Sequence, residues 1–387
     1  MKKFLSYLIC YMVYPFSFLV PRDRKKMAFG APRNRFEGNP KYLFLEYTEK
    51  GLDVCWISAD KAFVKSLKEK ALPAEYLLSA KGAWRALRSK WWMVGAYSSD
   101  ILFCLSGGAK IFNLWHGVGL KRCEFNITSG PLAQRYVSKT LKERYYHPEV
   151  FRRPDLLLTA SPFQTAMFAP AFRINREQCI EKGYPRNIIL TCSEDSRHSF
   201  IEKYEDPWVA ELTKDLKQFR RVYVYMPTWR DNGTSALDST NFNALNEILT
   251  AQGDALLVKD HFNNKDGGAS RSGNIFHLHP ACDIYPVLPY TDCLITDYSS
   301  VLYDYILMEG KSAVLYLYDY DDYSKERDFF YPFEENVLGE KAFSFEELCE
   351  IFKRGPLPLE ENKREELIDK FWDKHENDHD FNNYLHL

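Results

Sequence analysis

The chain has 387 residues, enough for two domains of ordinary size, and 45% of them are apolar, so each domain can bury a core. Its 51 Lys and Arg against 53 Asp and Glu give a formal net charge of −2, which argues against general nucleic-acid binding. The nine cysteines form no Cys-x-x-Cys pair, so we expect reduced thiols rather than a disulfide framework or a zinc knuckle.

The chain begins with an apolar segment flanked by basic residues. Residues 4–20 are nearly all apolar or aromatic, but they are fewer than the roughly 20 that a transmembrane helix needs, and they include Pro15. A basic run, residues 22–26, follows where a signal peptide would have a small-residue cleavage site. This pattern favours a segment that lies in the membrane surface, with Lys2, Lys3 and the basic run facing anionic lipid. A spanning helix and an ordinary buried helix are the alternatives.

After the basic run, predicted strands and helices alternate along the chain. In the first half we predict strands at 25–31, 52–58, 98–106, 109–117 and 155–161, with helices at 39–51, 62–70 and 162–172. A second series follows from about residue 195, with strands at 220–229, 254–261, 292–300 and 313–318 and helices at 245–251 and 300–310. Such alternation is typical of parallel α/β sheets. The sequence therefore predicts a GT-B arrangement: two Rossmann-like, doubly wound domains facing a central cleft, with ligands bound beyond the carboxyl ends of strands.

The first candidate site is the segment WHGVGLKR, residues 115–122, which follows a buried strand. Here His116 would project at the strand end, while Gly117 and Gly119 would let the backbone approach a ligand closely. Histidine suits proton transfer near neutral pH, and Lys121 adds positive charge nearby. A lone histidine at a strand end is more often structural, but these neighbours favour a functional one.

Two further predicted strands end in basic side chains. Arg230 follows a strand and a turn proline, where a guanidinium can bind a phosphate through two hydrogen bonds. Lys259 and His261 lie two residues apart, on the same side of a strand end, so both could face a pyrophosphate. A surface salt bridge and an ordinary strand terminus are the respective alternatives.

The strongest candidate is LITDYSSVLYDY, residues 294–305. Its buried strand ends in Thr296 and Asp297, and Ser299 and Ser300 then begin a helix. The free N–H groups and partial positive charge of a helix N-terminus favour phosphate binding, although a plain capped helix would show the same pattern. Together with the ends of the strands before His116, Arg230 and Lys259, this makes four strand ends with polar side chains from two predicted domains. Their number favours one shared ligand-binding site.

Motifs for other chemistries have weaker support. Asp319 and Asp321 resemble the DxD of metal-dependent transferases, but a cluster of loop acids explains them better. His277, His279 and Cys282 have no fourth partner at a spacing typical of metal sites. No GxSxG, GxxxxGK[ST] or GxGxxG motif is present. We therefore predict no metal site.

Taken in order, these segments resemble the CDP-glycerol glycerophosphotransferases, which build and prime teichoic acids and related capsular polymers. The resemblance covers residues 25–335 and is carried by WHGVGLK, RRPDLLLTASPF, GYPRN, MPTWR, VKDH, DIYPVLPYTDCLITDYSSVLYDY and the stretch 323–331. It implies a CDP-polyol donor, a lipid-linked or polymeric glycan acceptor and a peripheral location on the cytoplasmic face of the cell membrane. No nucleic-acid partner and no tightly bound cofactor are expected; CDP-glycerol is the co-substrate, and a need for free Mg²⁺ stays open.

The resemblance also implies roles for individual residues. His116 would be the general base, His261 would neutralise charge on the departing CMP, and Gly117, Gly119 and Lys121 would line the acceptor side. The residues that would hold the donor's diphosphate and ribose are Thr228, Arg230, Lys259, His261, Thr296, Asp297, Ser299, Ser300 and Arg327. We expect a membrane-associating segment at 1–24, an acceptor-binding domain at 25–194 and a donor-binding domain at 195–387.

Two departures and two alternatives remain. Ile188 stands after GYPRN, where the family often has an aspartate. The added region of many long-chain polymerases is missing, which favours a primase or short-chain enzyme. A GT-B glycosyltransferase that uses a sugar nucleotide would fit the same fold and phosphate-binding residues. A non-catalytic scaffold of a polymer-assembly complex would not need His116 or Arg230.

Overall fold

The chain divides into two compact units, which we describe separately. The computed structural model describes residues 2–130, 132–138, 140–228, 236–259, 269–279, 282–320, 329–373 and 379–385. Unit 1 contains the described parts of Met1–His116, Cys123–Arg186 and Trp372–Leu387, and unit 2 contains those of Gly117–Arg122 and Asn187–Phe371.

Unit 1 is built on a parallel sheet of seven strands in the order β3-β2-β1-β4-β5-β6-β7. The strands are β1 (Asp23–Gly30), β2 (Val54–Ser58), β3 (Ala74–Tyr76), β4 (Ser89–Val94), β5 (Lys110–Asn113), β6 (Leu156–Thr159) and β7 (Cys179–Glu181). The order reverses at β1, which lies between β2 and β4. All of β2 and the last four residues of β1 and β4 are buried, as expected where helices cover both faces of a parallel sheet.

The helices of unit 1 begin at side chains that cap them. Asp60, Ser79 and Ser161 each accept a hydrogen bond from the backbone N–H three residues ahead. The α-helices are Lys2–Ser17, Gly38–Glu49, Lys61–Glu69, Ala80–Arg88, Leu141–Tyr146, Pro148–Phe151, Pro162–Phe172 and Asn382–Leu385. The six helices that lie between β1 and β7 connect successive parallel strands, so the loops after these strands gather at the carboxyl edge of the sheet.

Unit 2 repeats this plan with the strand order β10-β11-β9-β8-β12-β13-β14. Its strands are β8 (Val222–Tyr225), β9 (Ala255–Val258), β10 (Ser270–Ser272), β11 (Ile275–His277), β12 (Cys293–Thr296), β13 (Ser312–Tyr316) and β14 (Glu340–Ala342). Only β10 pairs antiparallel among the described strands. Its α-helices are Ile188–Thr191, Glu194–Tyr204, Pro207–Leu216, Ser239–Gln252, Val301–Tyr305, Phe345–Arg354 and Glu361–Phe371. The predicted fold class, two Rossmann-like α/β units, is confirmed.

One predicted element is wrong, and another is shorter than predicted. Residues 98–106, predicted as a strand, form short 3₁₀ turns at Ser98–Asp100 and Phe103–Leu105, because the Asp100 carboxylate folds back onto the backbone N–H groups before it. The strand is instead the preceding apolar run of β4. The helix predicted at 300–310 is α-helical only over Val301–Tyr305, and turns continue to Gly310.

The division into units differs from the predicted boundary at residue 194. The long segment of unit 2 begins at Asn187, after β7, and the C-terminal tail belongs to unit 1. There Phe381 packs edge-on against Phe112, with ring centroids 5.2 Å apart, and Trp91 Nε1 donates to the Leu385 carbonyl at 3.0 Å. The tail therefore belongs to unit 1 through its contacts, although it follows unit 2 in the sequence.

The N-terminal helix, Lys2–Ser17, packs with its tyrosines inward and its aliphatic side chains outward. Tyr14 stacks on Phe103 at 4.6 Å, and the Tyr11 hydroxyl donates to the Arg144 carbonyl at 2.9 Å. Six large apolar side chains of the helix are exposed: Phe4, Leu5, Leu8, Ile9, Met12 and Phe16. Among the described helices, none has both the length and the hydropathy that crossing a bilayer requires.

Candidate active site

The predicted base, His116, lies at the carboxyl edge of the unit 1 sheet, three residues beyond β5. The turn that carries it is unusual, because Trp115 adopts a left-handed backbone conformation with φ of 50°. The Trp115 ring is buried against Phe172, with centroids 4.7 Å apart. The His116 side chain, in contrast, is exposed to solvent. The turn therefore buries the tryptophan and presents the histidine.

One nitrogen of the His116 ring faces a main-chain acceptor. Nδ1 lies 3.3 Å from the carbonyl oxygen of Gly95, which directly follows β4. Because a carbonyl can only accept, we assign the proton to Nδ1, which leaves Nε2 with a lone pair. The Gly95 loop is itself held by Asp100, whose Oδ2 accepts from the N–H groups of Gly95 at 2.9 Å and Ala96 at 2.8 Å. This arrangement suits a proton acceptor at Nε2.

The electrostatic environment keeps the His116 ring neutral. Desolvation by the surrounding protein lowers the pKa of His116 below its usual range, although the side chain retains contact with solvent. The hydrogen bond to Gly95 raises this pKa, and the positive charge of Arg186 lowers it further. A histidine with a lowered pKa is already deprotonated at neutral pH, which is the form a general base needs.

The predicted acceptor-side residues fall in a short segment grouped with unit 2. Gly117, Gly119 and Lys121 lie within Gly117–Arg122, where Lys121 forms an antiparallel bridge with Phe329. The backbone N–H of Phe330 donates to the Leu120 carbonyl at 3.0 Å in the same pairing. The chain therefore leaves unit 1 directly after His116 and returns at Cys123.

In unit 2, predicted donor residues meet where the strand order reverses between β8 and β12, the usual ligand position in such sheets. The Asp297 carboxylate accepts from the backbone N–H of Thr228 at 2.9 Å and from that of Tyr298 at 2.6 Å. The Thr296 hydroxyl donates to the Met226 carbonyl at 2.7 Å. Both side chains are buried. They brace the loop after β8 against the end of β12.

Other predicted donor residues line the same edge. Lys259 follows β9, its backbone N–H donates to the Tyr225 carbonyl at 2.9 Å, and its Nζ lies 3.4 Å from the His279 carbonyl. Ser299 and Ser300 are half-buried, and Ser299 Oγ lies 3.4 Å from the N–H of Val301. The structure thus brings Thr228, Lys259, Thr296, Asp297, Ser299 and Ser300 to neighbouring strand ends.

Three predicted site residues, Arg230, His261 and Arg327, lie outside the described residues. Asp319, which resembles part of a DxD motif, accepts a hydrogen bond from the Tyr298 hydroxyl at 3.1 Å. Within the ranges that the structure describes, no three His, Cys, Asp or Glu side chains are arranged to hold a metal ion.

Sequence reasoning assigned no role to several residues around His116. Asn39 and Arg186 bind its turn, and Asp100 sets the Gly95 loop. Arg186 belongs to the GYPRN segment, but nothing in that pattern indicates that it binds the His116 carbonyl. Asn39 follows β1 and Arg186 follows β7, so only the strand order brings them to one edge.

Comparison with known proteins gives a consistent family. The family model for CDP-glycerol:poly(glycerophosphate) glycerophosphotransferases matches residues 12–383. The teichoic acid glycerol-phosphate transferase of Staphylococcus aureus is 26% identical over 319 residues, covering 79% of this chain and 77% of that protein. The teichoic acid poly(glycerol phosphate) polymerase of Bacillus subtilis is 25% identical over 88% of this chain, which spans only 45% of that longer protein.

Solved structures agree on the fold. The wall teichoic acid polymerase TagF superposes with a TM-score of 0.75 at 20% identity, covering 100% of this chain and 96% of that one. One structure of a TagF variant follows a soak with CDPG, at the same TM-score. At this level of identity the likeness concerns the fold.

Proposed function

Because the chain belongs to the CDP-glycerol:poly(glycerophosphate) glycerophosphotransferase family, and is therefore an enzyme that transfers a polyol phosphate, we propose that its donor is CDP-glycerol and that His116 accepts the acceptor's proton. The acceptor is a hydroxyl group of a lipid-linked or polymeric cell-surface glycan, and the other product is CMP. The role of His116 is supported by one observation: its ring is exposed, and its Nδ1 faces the Gly95 carbonyl. This contact places the proton on Nδ1 and leaves Nε2 free to accept one.

The proposed reaction is a direct displacement at phosphorus. The acceptor oxygen forms a bond to the β-phosphorus of CDP-glycerol, and the bond from that phosphorus to the bridging oxygen breaks. CMP departs with the bonding electron pair, and the hydroxyl proton moves to His116 Nε2. Phosphoryl transfer depends mainly on positioning and charge stabilisation, so one base and a well-ordered phosphate site are sufficient protein chemistry.

We assign donor binding to the carboxyl edge of the unit 2 sheet. Lys259 offers a cation there, and the hydroxyls of Ser299 and Ser300 add hydrogen-bond donors for phosphate oxygens. Asp297 is better suited to support than to direct contact with phosphate, because one carboxylate repels an anion and this one already accepts backbone N–H groups. The predicted contributions of Arg230, His261 and Arg327 complete this proposal.

Isothermal titration calorimetry of donor binding to the variant His116→Ala, with no acceptor present, tests the choice of donor. We expect CDP-glycerol to bind, CDP-ribitol to bind more weakly, and UDP-GlcNAc and UDP-glucose to give no measurable heat. Tighter binding of CDP-ribitol would change the polyol and leave the reaction class standing. Binding of a UDP-sugar in place of both CDP-polyols would overturn the donor proposal.

We further propose that the outward face of the N-terminal helix binds the membrane surface. Six exposed apolar side chains follow one another along this helix, and Leu19, just beyond it, is 76% exposed. Arg24 and Lys25 follow and are exposed, whereas Arg22 is directed at the carbonyls of Ala86 and Ser89, at 3.0 and 3.1 Å. The apolar face and the two basic residues together fit an anionic lipid interface.

Vesicle binding tests this surface. The double variant Leu5→Glu/Ile9→Glu should lose about 100-fold or more in partition to phosphatidylglycerol vesicles, since burying each side chain is worth roughly 1.5–3 kcal/mol. Leu357→Glu is the control variant, because Leu357 is an exposed leucine of unit 2, away from the N-terminal helix in the sequence. This variant should bind vesicles as the wild type does. Equal vesicle binding by the double variant and the control would contradict a membrane role for the helix.

A further inference from the structure

The turn that presents His116 is held in a conformation that its own residues do not favour. A bulky residue such as Trp115 is strained in the left-handed region and stays there only when its surroundings enforce the geometry. Part of the enforcement is local, since the backbone N–H of Trp115 donates to Asn113 Oδ1 at 2.8 Å. The same Asn113 donates through Nδ2 to the Ala96 carbonyl at 2.7 Å, in the loop that carries Gly95.

The main clamp on this turn is Asn39, from a distant part of the chain. Asn39 lies in the first turn of the helix after β1 and is completely buried. Its Nδ2 donates to the carbonyls of Leu114 at 2.8 Å and Trp115 at 3.1 Å, the two peptide groups that precede His116. One amide group thus fixes both sides of the left-handed residue.

Arg186 holds the next peptide group. Its Nη1 donates to the carbonyl of His116 itself at 2.6 Å, and its side chain is 4% exposed. Its backbone N–H lies 3.4 Å from Asn39 Oδ1, so the two residues also support each other. Three successive carbonyls, those of Leu114, Trp115 and His116, are therefore held by two buried side chains.

We propose that Asn39 and Arg186 are positioning residues that hold the Trp115–His116 turn, so that the imidazole keeps Nδ1 on the Gly95 carbonyl and directs Nε2 to the acceptor. This proposal rests on the assignment of His116 as the base. Without the clamp, Trp115 relaxes towards ordinary negative φ, and the ring leaves the Gly95 carbonyl. Neither residue needs to touch the substrate.

Nuclear magnetic resonance of the His116 ring tests the proposal independently of activity. In full-length protein labelled with ¹³C at histidine Cε1, the resonance missing from His116→Ala identifies His116. We expect Asn39→Ala to shift this resonance. Asn39→Ala should also lower the pKa of His116, because the ring then leaves the Gly95 carbonyl, which raises this pKa in the wild type. Arg186→Gln should shift the same resonance, and Arg186→Lys should restore it. Ser89→Ala removes a buried hydroxyl at the opposite edge of the sheet and should change neither quantity.

Kinetics supply the second readout. We expect Asn39→Ala and Arg186→Gln to lower kcat about 10–100-fold, as a small displacement of a reacting group does, with the donor KM unchanged. Arg186→Lys should recover part of that loss. If Asn39→Ala does not fold, Asn39→Ser keeps a hydrogen-bonding group and is measured in its place.

The outcomes separate the two claims. An unchanged His116 resonance and pKa in folded Asn39 and Arg186 variants would overturn the positioning role, whatever their activity. A shifted ring in a chain whose His116→Ala variant keeps wild-type turnover would leave the clamp standing and reject His116 as the base. A fall in melting temperature alone, with the ring unmoved, would also overturn the proposal, because it marks a purely structural role.

Discussion

His116→Ala is expected to lower kcat for CDP-glycerol-dependent transfer by about 10²–10⁴-fold, the usual contribution of one positioned base. The affinity for CDP-glycerol should stay near that of the wild type, because the residues that we assign to the donor belong to unit 2. The measurement combines turnover from CMP release with calorimetric titration of the donor. His116→Gln is the companion variant, since it keeps a polar side chain that cannot accept the proton.

The same assignment predicts the pH dependence of turnover. Only neutral histidine accepts a proton, and the pKa of His116 is lowered in the folded protein. The ring is therefore neutral at pH 7, and kcat/KM, which reports the free enzyme, should fall only as pH drops through that lowered pKa, below the ordinary value of about 6.5. This acid limb should be absent from the residual rate of His116→Gln. An acid limb retained in that variant would assign it to another group.

Asp297→Ala is expected to weaken CDP-glycerol binding by about 10–100-fold, through movement of the loop after β8 rather than loss of a phosphate contact. In the wild type, the carboxylate holds the N–H groups of Thr228 and Tyr298 at 2.9 and 2.6 Å. Removing the carboxylate takes the acceptor away from these two N–H groups, which are shielded from water. This loss also lowers the free energy of unfolding by about 1–3 kcal/mol. Calorimetry measures the first effect and urea denaturation the second.

A second buried carboxylate in unit 2 provides the control. Asp254 is 1% exposed and pairs with Arg220 at 2.9 Å, just before the strands β8 and β9 begin, at the opposite edge of the sheet. Asp254→Asn should reduce stability and leave donor affinity unchanged. If both variants weakened donor binding equally, the effect would follow from general destabilisation, and Asp297 would have no specific part in the donor site.

The strand-ending segments of the site were predictable because each carries its signal locally. A buried apolar run followed by His116, or by Thr296 and Asp297, indicates a strand end with polar groups beyond it. Parallel sheets collect such ends at one edge, so the gathering of Thr228, Lys259 and Asp297 follows from the fold class. Fold class and candidate edges were therefore accessible from the sequence.

The clamp on His116 was not predictable in this way. Asn39 and Arg186 are separated by 146 intervening residues and meet only because β1 and β7 belong to one sheet. Residues 98–106 were predicted wrongly because the continuous apolar run at 101–105 resembles a buried strand, whereas the decisive interaction is Asp100 folding back onto Gly95. The C-terminal tail joins unit 1 through isolated contacts, such as Phe381 against Phe112 and the hydrogen bond from Trp91 to Leu385, which leave no periodic pattern.

The most direct test of the account is release of CMP by the full-length enzyme given CDP-glycerol and a lipid-linked disaccharide acceptor. We predict CMP release that needs both substrates and falls by about 10²–10⁴-fold in His116→Ala. We also predict that no UDP is released when a UDP-sugar replaces the donor. UDP release from a sugar nucleotide with the same acceptor, and no CMP release from CDP-glycerol, would contradict polyol-phosphate transfer as the activity of this chain.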